Sequence, residues 1–129
     1  MPSRGSADVP SGEGIAQRYI EAMNAADISA MMSLFAPNAV LRHPTGVYAD
    51  RDAIRGFFVE MVFAYSARLE AIAVLERGDM AWLEVEAESE VTPGRQRVVD
   101  VFRLDERGRI IDLGVYSGNT VPGSDDVKA

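Results

Sequence analysis

The chain has no cysteine and a single histidine, His43. The first absence excludes disulfides, thiol nucleophiles and thiolate metal sites; the second excludes a histidine-rich zinc or iron site. Positive charge is also in short supply. Thirteen Lys and Arg stand against 20 Asp and Glu, a formal net charge of -7 with a pI of about 4.6. Such a surface does not attract a phosphate backbone or an anionic bilayer, so neither nucleic acid nor membrane is expected as a partner. No apolar run reaches the length of a membrane span, and MPSRGSADVPSGEG lacks the apolar stretch of a secretory leader, which reads as a cytoplasmic protein. The chemistry left to this chain runs on carboxylates, hydroxyls, His43 or backbone groups, with no cofactor and no metal expected.

What is present suits one domain: 129 residues, 47% of them hydrophobic, give a single core and no room for a second. Residues 1–11 and 119–129 are small and polar and are expected as flexible tails around a unit at 12–118. Within GIAQRYIEAMNAA, Ile15, Tyr19, Ile20 and Met23 recur at three-to-four-residue spacing and predict an amphipathic helix. Asp27 then caps a second helix, ISAMMSLF, which turns Ile28, Met31, Met32 and Phe35 inward and stops at Pro37. In AVLRH, alternation places Leu41 and His43 on one face of a strand. After a Pro44-Thr45-Gly46 turn, Asp50 caps a third helix, RDAIRGFFVEMVFAY, expected to bury Ile54, Phe57, Phe58, Met61 and Val62.

From Ala67 the period changes to two. Four antiparallel strands are expected, with turns at Arg77-Gly78-Asp79, Thr92-Pro93-Gly94 and Glu106-Arg107-Gly108. In LEVEAESEV, Leu83, Val85 and Ala87 share one face; Glu84, Glu86, Glu88 and Glu90 share the other with Trp82 and read as a solvated or subunit-facing surface. VVDVFRL is different, because Asp100 lies among apolar neighbours on both sides. Burying it ionised is costly, so it is paired, exposed by twist, or protonated. Read from pattern alone, His43 is an ordinary polar residue or a proton acceptor, and Tyr19 a core residue or a donor.

The segments QRYIEAMNAAD, LFAPNAV, HPTG, AIRGFF and DVFRLDERGRI resemble the bacterial Δ5-3-ketosteroid isomerases, collinearly from Ile15 to Gly118. The resemblance implies the α+β cone-shaped, nuclear-transport-factor-2-like (cystatin-like) fold, three N-terminal helices packed in a curved, mainly antiparallel sheet, and a homodimer. It gives Tyr19 and Asp100 the roles of hydrogen-bond donors to a substrate oxyanion. That the family's acid is kept neutral by an apolar site is a property of the family. Where the family carries an aspartate base before proline, this chain has His43 before Pro44. Phe58 replaces a supporting tyrosine, and Ser117 a large aromatic, which shortens the donor network and widens one wall. The substrate pocket is expected to be lined by Phe35, Phe57, Phe58, Met61, Leu83, Val85, Phe102, Leu113, Val115 and Ser117. The activity implied is a double-bond shift in a 3-oxo steroid or similar apolar ketone, with His43 carrying the proton. A neutral imidazole, of reference pKa about 6.5, is a stronger base than the family's aspartate but must create two charges at once. A SnoaL-like polyketide cyclase and a non-catalytic steroid binder are the alternatives. Epoxide hydrolysis of the limonene type needs an Asp-Arg-Asp set not found on the pocket faces.

Overall fold

A computed structural model describes residues 12–120, those at 12, 13, 92, 93 and 118–120 by backbone only. Of the tails expected at 1–11 and 119–129, residues 1–11 and 121–129 lie outside the described residues, and Asn119 and Thr120 are the end of the last strand. Helix α1, Gly12–Ala25, buries Ile15, Ala16, Tyr19, Ala22 and Met23, as its stripe requires. Asn24 ties it to the sheet through two hydrogen bonds: its Nδ2 donates to the Leu69 carbonyl (2.9 Å) and its Oδ1 accepts from the Leu69 amide (2.8 Å). Asp27 caps α2, Ile28–Ser33, accepting from the Ala30 amide.

The second helix stops short of its expected end. Phe35 begins strand β1, Phe35–His43, and Pro37 sits inside that strand instead of ending a helix. The cause is a tertiary contact: the Leu34 carbonyl accepts from the Ile110 amide at 2.8 Å, which seats Phe35 opposite Ile110 on the last strand. The register then shifts between Phe35 and Val40, and that irregularity is where a proline is tolerated. Phe35 still points inward.

Strand β2, Gly46–Tyr48, folds back on β1 with His43 opposite Gly46. Asp50 caps α3, which covers only Arg51–Phe57. Instead of one helix to Tyr65, Phe58–Val62 winds as a π turn and Phe63–Tyr65 as a 3-10 turn, closed by Ser66 at φ 56°. The wider winding rotates the apolar stripe. Ile54, Phe57 and Phe58 stay buried, whereas Val62 is half-buried and Met61, expected in the core, is 42% exposed.

Four strands follow: β3 Arg68–Arg77, β4 Met80–Ser89, β5 Thr92–Leu104 and β6 Ile110–Thr120. Two of the expected turns are present, with Gly78 and Gly108 at positive φ, but the one between β4 and β5 is Glu90–Val91, not Thr92-Pro93-Gly94, since Thr92 already pairs with Ser89. The sheet order is β2-β1-β6-β5-β4-β3, antiparallel except for the β1–β6 pair. It is an open, curved, mixed sheet with edges at β2 and β3, and the helices pack in its concavity. Register shifts in every pairing except β1–β2 supply the bends. Among the described residues, no helix is long and apolar enough to cross a membrane.

Candidate functional site

Two groups of polar side chains stand out, one buried and the other half-buried to exposed. The first is set by strand register. Asp100 on β5 stands between Leu83 on β4 and Val115 on β6; one pair further along, Phe102 stands between Ala81 and Leu113. This row turns inward, and Asp100 is 2% exposed. Tyr19 reaches the same place from α1. Its ring meets Phe102 edge-on at 5.2 Å and Phe58 at 6.4 Å, and its exposure is 3%.

Neither the Tyr19 hydroxyl nor the Asp100 carboxyl makes a hydrogen bond with any described residue, and Phe58 offers Tyr19 a ring edge where a tyrosine would offer a hydroxyl. Arg97 Nε is the one fully occluded side-chain nitrogen or oxygen without a partner among the described residues. The oxygens of Tyr19 and Asp100 are not among such occluded atoms. Burial pushes the Asp100 carboxyl from its ordinary value of 3.8 up to about 7. Burial, and secondarily the neighbouring Asp100, raises the Tyr19 hydroxyl well above 10, so it is a neutral donor.

The second group surrounds His43. Its Nδ1 accepts from the Thr45 backbone amide at 3.1 Å and lies 2.9 Å from Thr45 Oγ1. Thr45 Oγ1 is in turn 2.7 Å from Tyr48 Oη, which contacts Met61 Sδ at 3.6 Å. The His43 and Tyr48 rings both tilt against Phe57, each at 4.9 Å. Burial lowers the His43 pKa from 6.5, leaving the ring neutral at pH 7.

His43 forms part of the wall of a cavity of about 290 Å³, between the β1–β2 hairpin, the π turn and the far ends of β4 and β5. Phe57, Met61, Val62, Ala67, Ala87 and Val91 make the wall mainly apolar; Thr45, Glu88, Ser89 and Gln96 add polar groups. On its other side His43 borders a cleft of about 410 Å³ with Arg42, Pro44, Val115, Tyr116 and Ser117.

The expected site residues thus separate. Tyr19 and Asp100 come together, whereas His43 lines a cavity whose wall includes neither. Phe57 and Met61 line that cavity, and Val115 and Ser117 the cleft. Phe35, Phe58, Leu83, Val85, Phe102 and Leu113 are fully buried core residues, the last four forming the floor around Asp100. Thr45 and Tyr48 are not singled out by the sequence. Their only signal is a hydroxyl two residues after the sole histidine, inside a segment that reads as a turn.

Residues 16–113 match the family model of the SnoaL-like domain, and the chain belongs to that family. No curated protein matches it. Among solved structures, the chain is similar to the epoxide hydrolase/cyclase-like enzyme SalBIII of pyran-ring formation in the polyether salinomycin (27% identity, 82% of this chain and 89% of that one, TM-score 0.71). It shares its fold with a Kribbella flavida protein proposed to be a ketosteroid isomerase (17%, 89% and 88%, TM-score 0.72). The fold also matches a Mycobacterium tuberculosis protein solved with estradiol-17β-hemisuccinate (17%, 81% and 92%, TM-score 0.72).

Proposed function

We propose that this protein is a cofactor-independent enzyme that binds an apolar ketone and stabilises the enolate formed from its carbonyl between Tyr19 and Asp100. The observation that carries this reading is the unpartnered pair itself. A buried carboxyl with no cation and no hydrogen bond among the described residues costs stability, and a protonated acid beside a neutral phenol is the arrangement that holds a developing oxyanion. A carboxyl with a pKa of about 7 supplies that donor over the acidic to neutral range.

Two reactions share this step. In a double-bond shift, as in a 3-oxo steroid, His43 carries the proton between two carbons; its place on an apolar wall and its neutrality support that role. In ring closure, the enolate attacks an electrophilic carbon of the same substrate. The SnoaL-like family and the similarity to a cyclase-like enzyme favour this second reading. Incubation with androst-5-ene-3,17-dione tests the first by the absorbance of the conjugated enone, and linear diketones test the second by chromatography of ring-closed products. Absence of both products, together with unchanged binding of a phenolic steroid by Tyr19→Phe and by Asp100→Leu, would sink the proposal. A homodimer through the outer sheet face, where Trp82 is half-buried opposite exposed Leu75, belongs to the same reading and is tested by sedimentation.

A further inference from the structure

The hydrogen bonds of His43 determine which of its nitrogens carries the proton. A backbone amide can only donate, so the Thr45 N–H at 3.1 Å requires a lone pair on Nδ1. The hydroxyl chain has two proton orders: Tyr48 donates to Thr45 and Thr45 to Nδ1; or Thr45 donates to Tyr48 and Tyr48 to Met61 Sδ. Only the first lets Nδ1 accept from the Thr45 hydroxyl as well as from the amide, and it is the order that the amide's need for a lone pair selects. Placing a proton there, so that Nδ1–H donates to Thr45 Oγ1, would set two N–H groups against each other and leave the Thr45 amide unpaired. The neutral ring therefore carries its proton on Nε2, which has no hydrogen-bond partner among the described residues.

We infer that Thr45 acts as a positioning residue that presents His43 to the cavity as an Nε2–H donor, and that the ligand carries an acceptor oxygen here in addition to the one held by Tyr19 and Asp100. The inference rests on the enolate reading for the second oxygen. It defines a substrate class: an elongated apolar skeleton with oxygen at both ends. Gln96 on the cavity wall and Asp100 are four residues apart on β5, at most about 13 Å of strand, and half-buried Val98 lies between them on the inward face. Within the enolate reading, an Nε2–H ring has no lone pair at that nitrogen to take a substrate proton, so the proton lost on enolate formation, which ring closure and the double-bond shift both require, passes to a base other than His43, and His43 instead polarises the second oxygen.

The chain has one histidine, so imidazole ¹⁵N labelling of the full-length protein gives the tautomer of this ring without assignment. At pH 8 the expected spectrum shows a protonated Nε2 and an unprotonated Nδ1, unchanged in Thr45→Val, which keeps the amide. A proton on Nδ1 in the wild type, or a switch to it in Thr45→Val, overturns the assignment to the amide. For the ligand, androst-4-ene-3,17-dione is expected to bind about tenfold tighter than androst-4-en-3-one, the worth of one neutral hydrogen bond. The preference should vanish in His43→Phe and persist in His43→Gln, which keeps a donor. Equal affinities in the wild type, or a preference that survives in His43→Phe, overturn the second-oxygen claim. Failure of the enolate reading looks different: Asp100→Leu and wild type would bind both steroids equally while the ¹⁵N pattern stayed intact.

Discussion

Strand β5 carries charge on both faces, and the two faces treat it differently. On the outer face, Arg97 donates to Glu84 (3.0 Å) and Glu86 (2.8 Å), while Arg95 contacts Glu70 (2.8 Å), Glu86 (3.0 Å) and Glu88 (3.7 Å). On the inner face, three residues along, Asp100 has no ion pair and no hydrogen bond among the described residues. Charge that serves the fold is neutralised across strands by the residue directly opposite, as Arg97 is by Glu86. Charge left alone in an apolar interior destabilises the fold, and its retention signals work done on something other than the protein.

The largest effect expected from breaking this contrast is at Asp100 itself. Asp100→Leu, close in size and apolar, removes one of the two donors and should lower turnover, or the affinity for a phenolic steroid, by about 10²–10³-fold. The same variant should be more stable than the wild type at pH 8, because an unpartnered carboxylate is gone. Urea unfolding alongside the activity assay checks both directions. A variant that loses stability and keeps activity would make Asp100 an ordinary structural residue.

The pH dependence of stability comes next. The folded value for Asp100, about 7, lies above its ordinary 3.8, so between these limits the folded state holds a proton that the unfolded chain has released. The contribution of this group is thus most favourable below pH 4, falls as the pH rises to 7, and is flat above. Between pH 5 and pH 8 the loss should be about 3 kcal/mol, a slope absent from Asp100→Leu. Unfolding midpoints of the two proteins at matched pH give the difference directly. Parallel curves would mean that Asp100 is not held as an acid.

Tyr19→Phe is expected to cost about tenfold in affinity for a phenolic steroid, measured by titration, because one neutral hydrogen bond is lost. The ring packing against Phe102 and Phe58 is retained, so stability should change little. A loss confined to stability would reassign Tyr19 to the core.

Much of this contrast is legible in the amino-acid sequence. The three-to-four-residue spacing places Tyr19 on the buried stripe of α1, and alternation separates the glutamates of β4 from Leu83 and Val85; for Asp100, with apolar residues on both faces of its strand, the pattern leaves the direction open, and the register between β4 and β6 decides it. Elements without a period of their own are not legible. FFVEMVF is apolar at nearly every position, so an α-helical and a π winding of it each find apolar residues for their buried side, though not the same ones, and the sequence cannot choose between them. The start of β1 at Phe35 depends on the Leu34–Ile110 hydrogen bond, a long-range contact that no local signal announces. The Thr45 amide beneath His43 is hidden for a third reason. It is a backbone group in a turn, and it meets the ring only once the hairpin has closed.

The smallest effect is expected on the outer face. The Arg97 side chain is 29% exposed, and its partners Glu84 and Glu86 are 37% and 12% exposed, so water and salt screen much of the attraction. Its Nε is occluded without a partner, a cost that accompanies the two good contacts made by the other guanidinium nitrogens. Arg97→Met keeps the aliphatic stem against the sheet and removes both the pairing and the orphaned nitrogen. The urea midpoint should move slightly, by an amount that shrinks in 1 M salt, and ligand affinity should not move. Since Arg97 and Asp100 are only three positions apart on one strand, a drop in affinity in Arg97→Met would show that the two faces are coupled through the strand. The division between paired structural charge and solitary functional charge would then fail at the point where it is drawn most sharply.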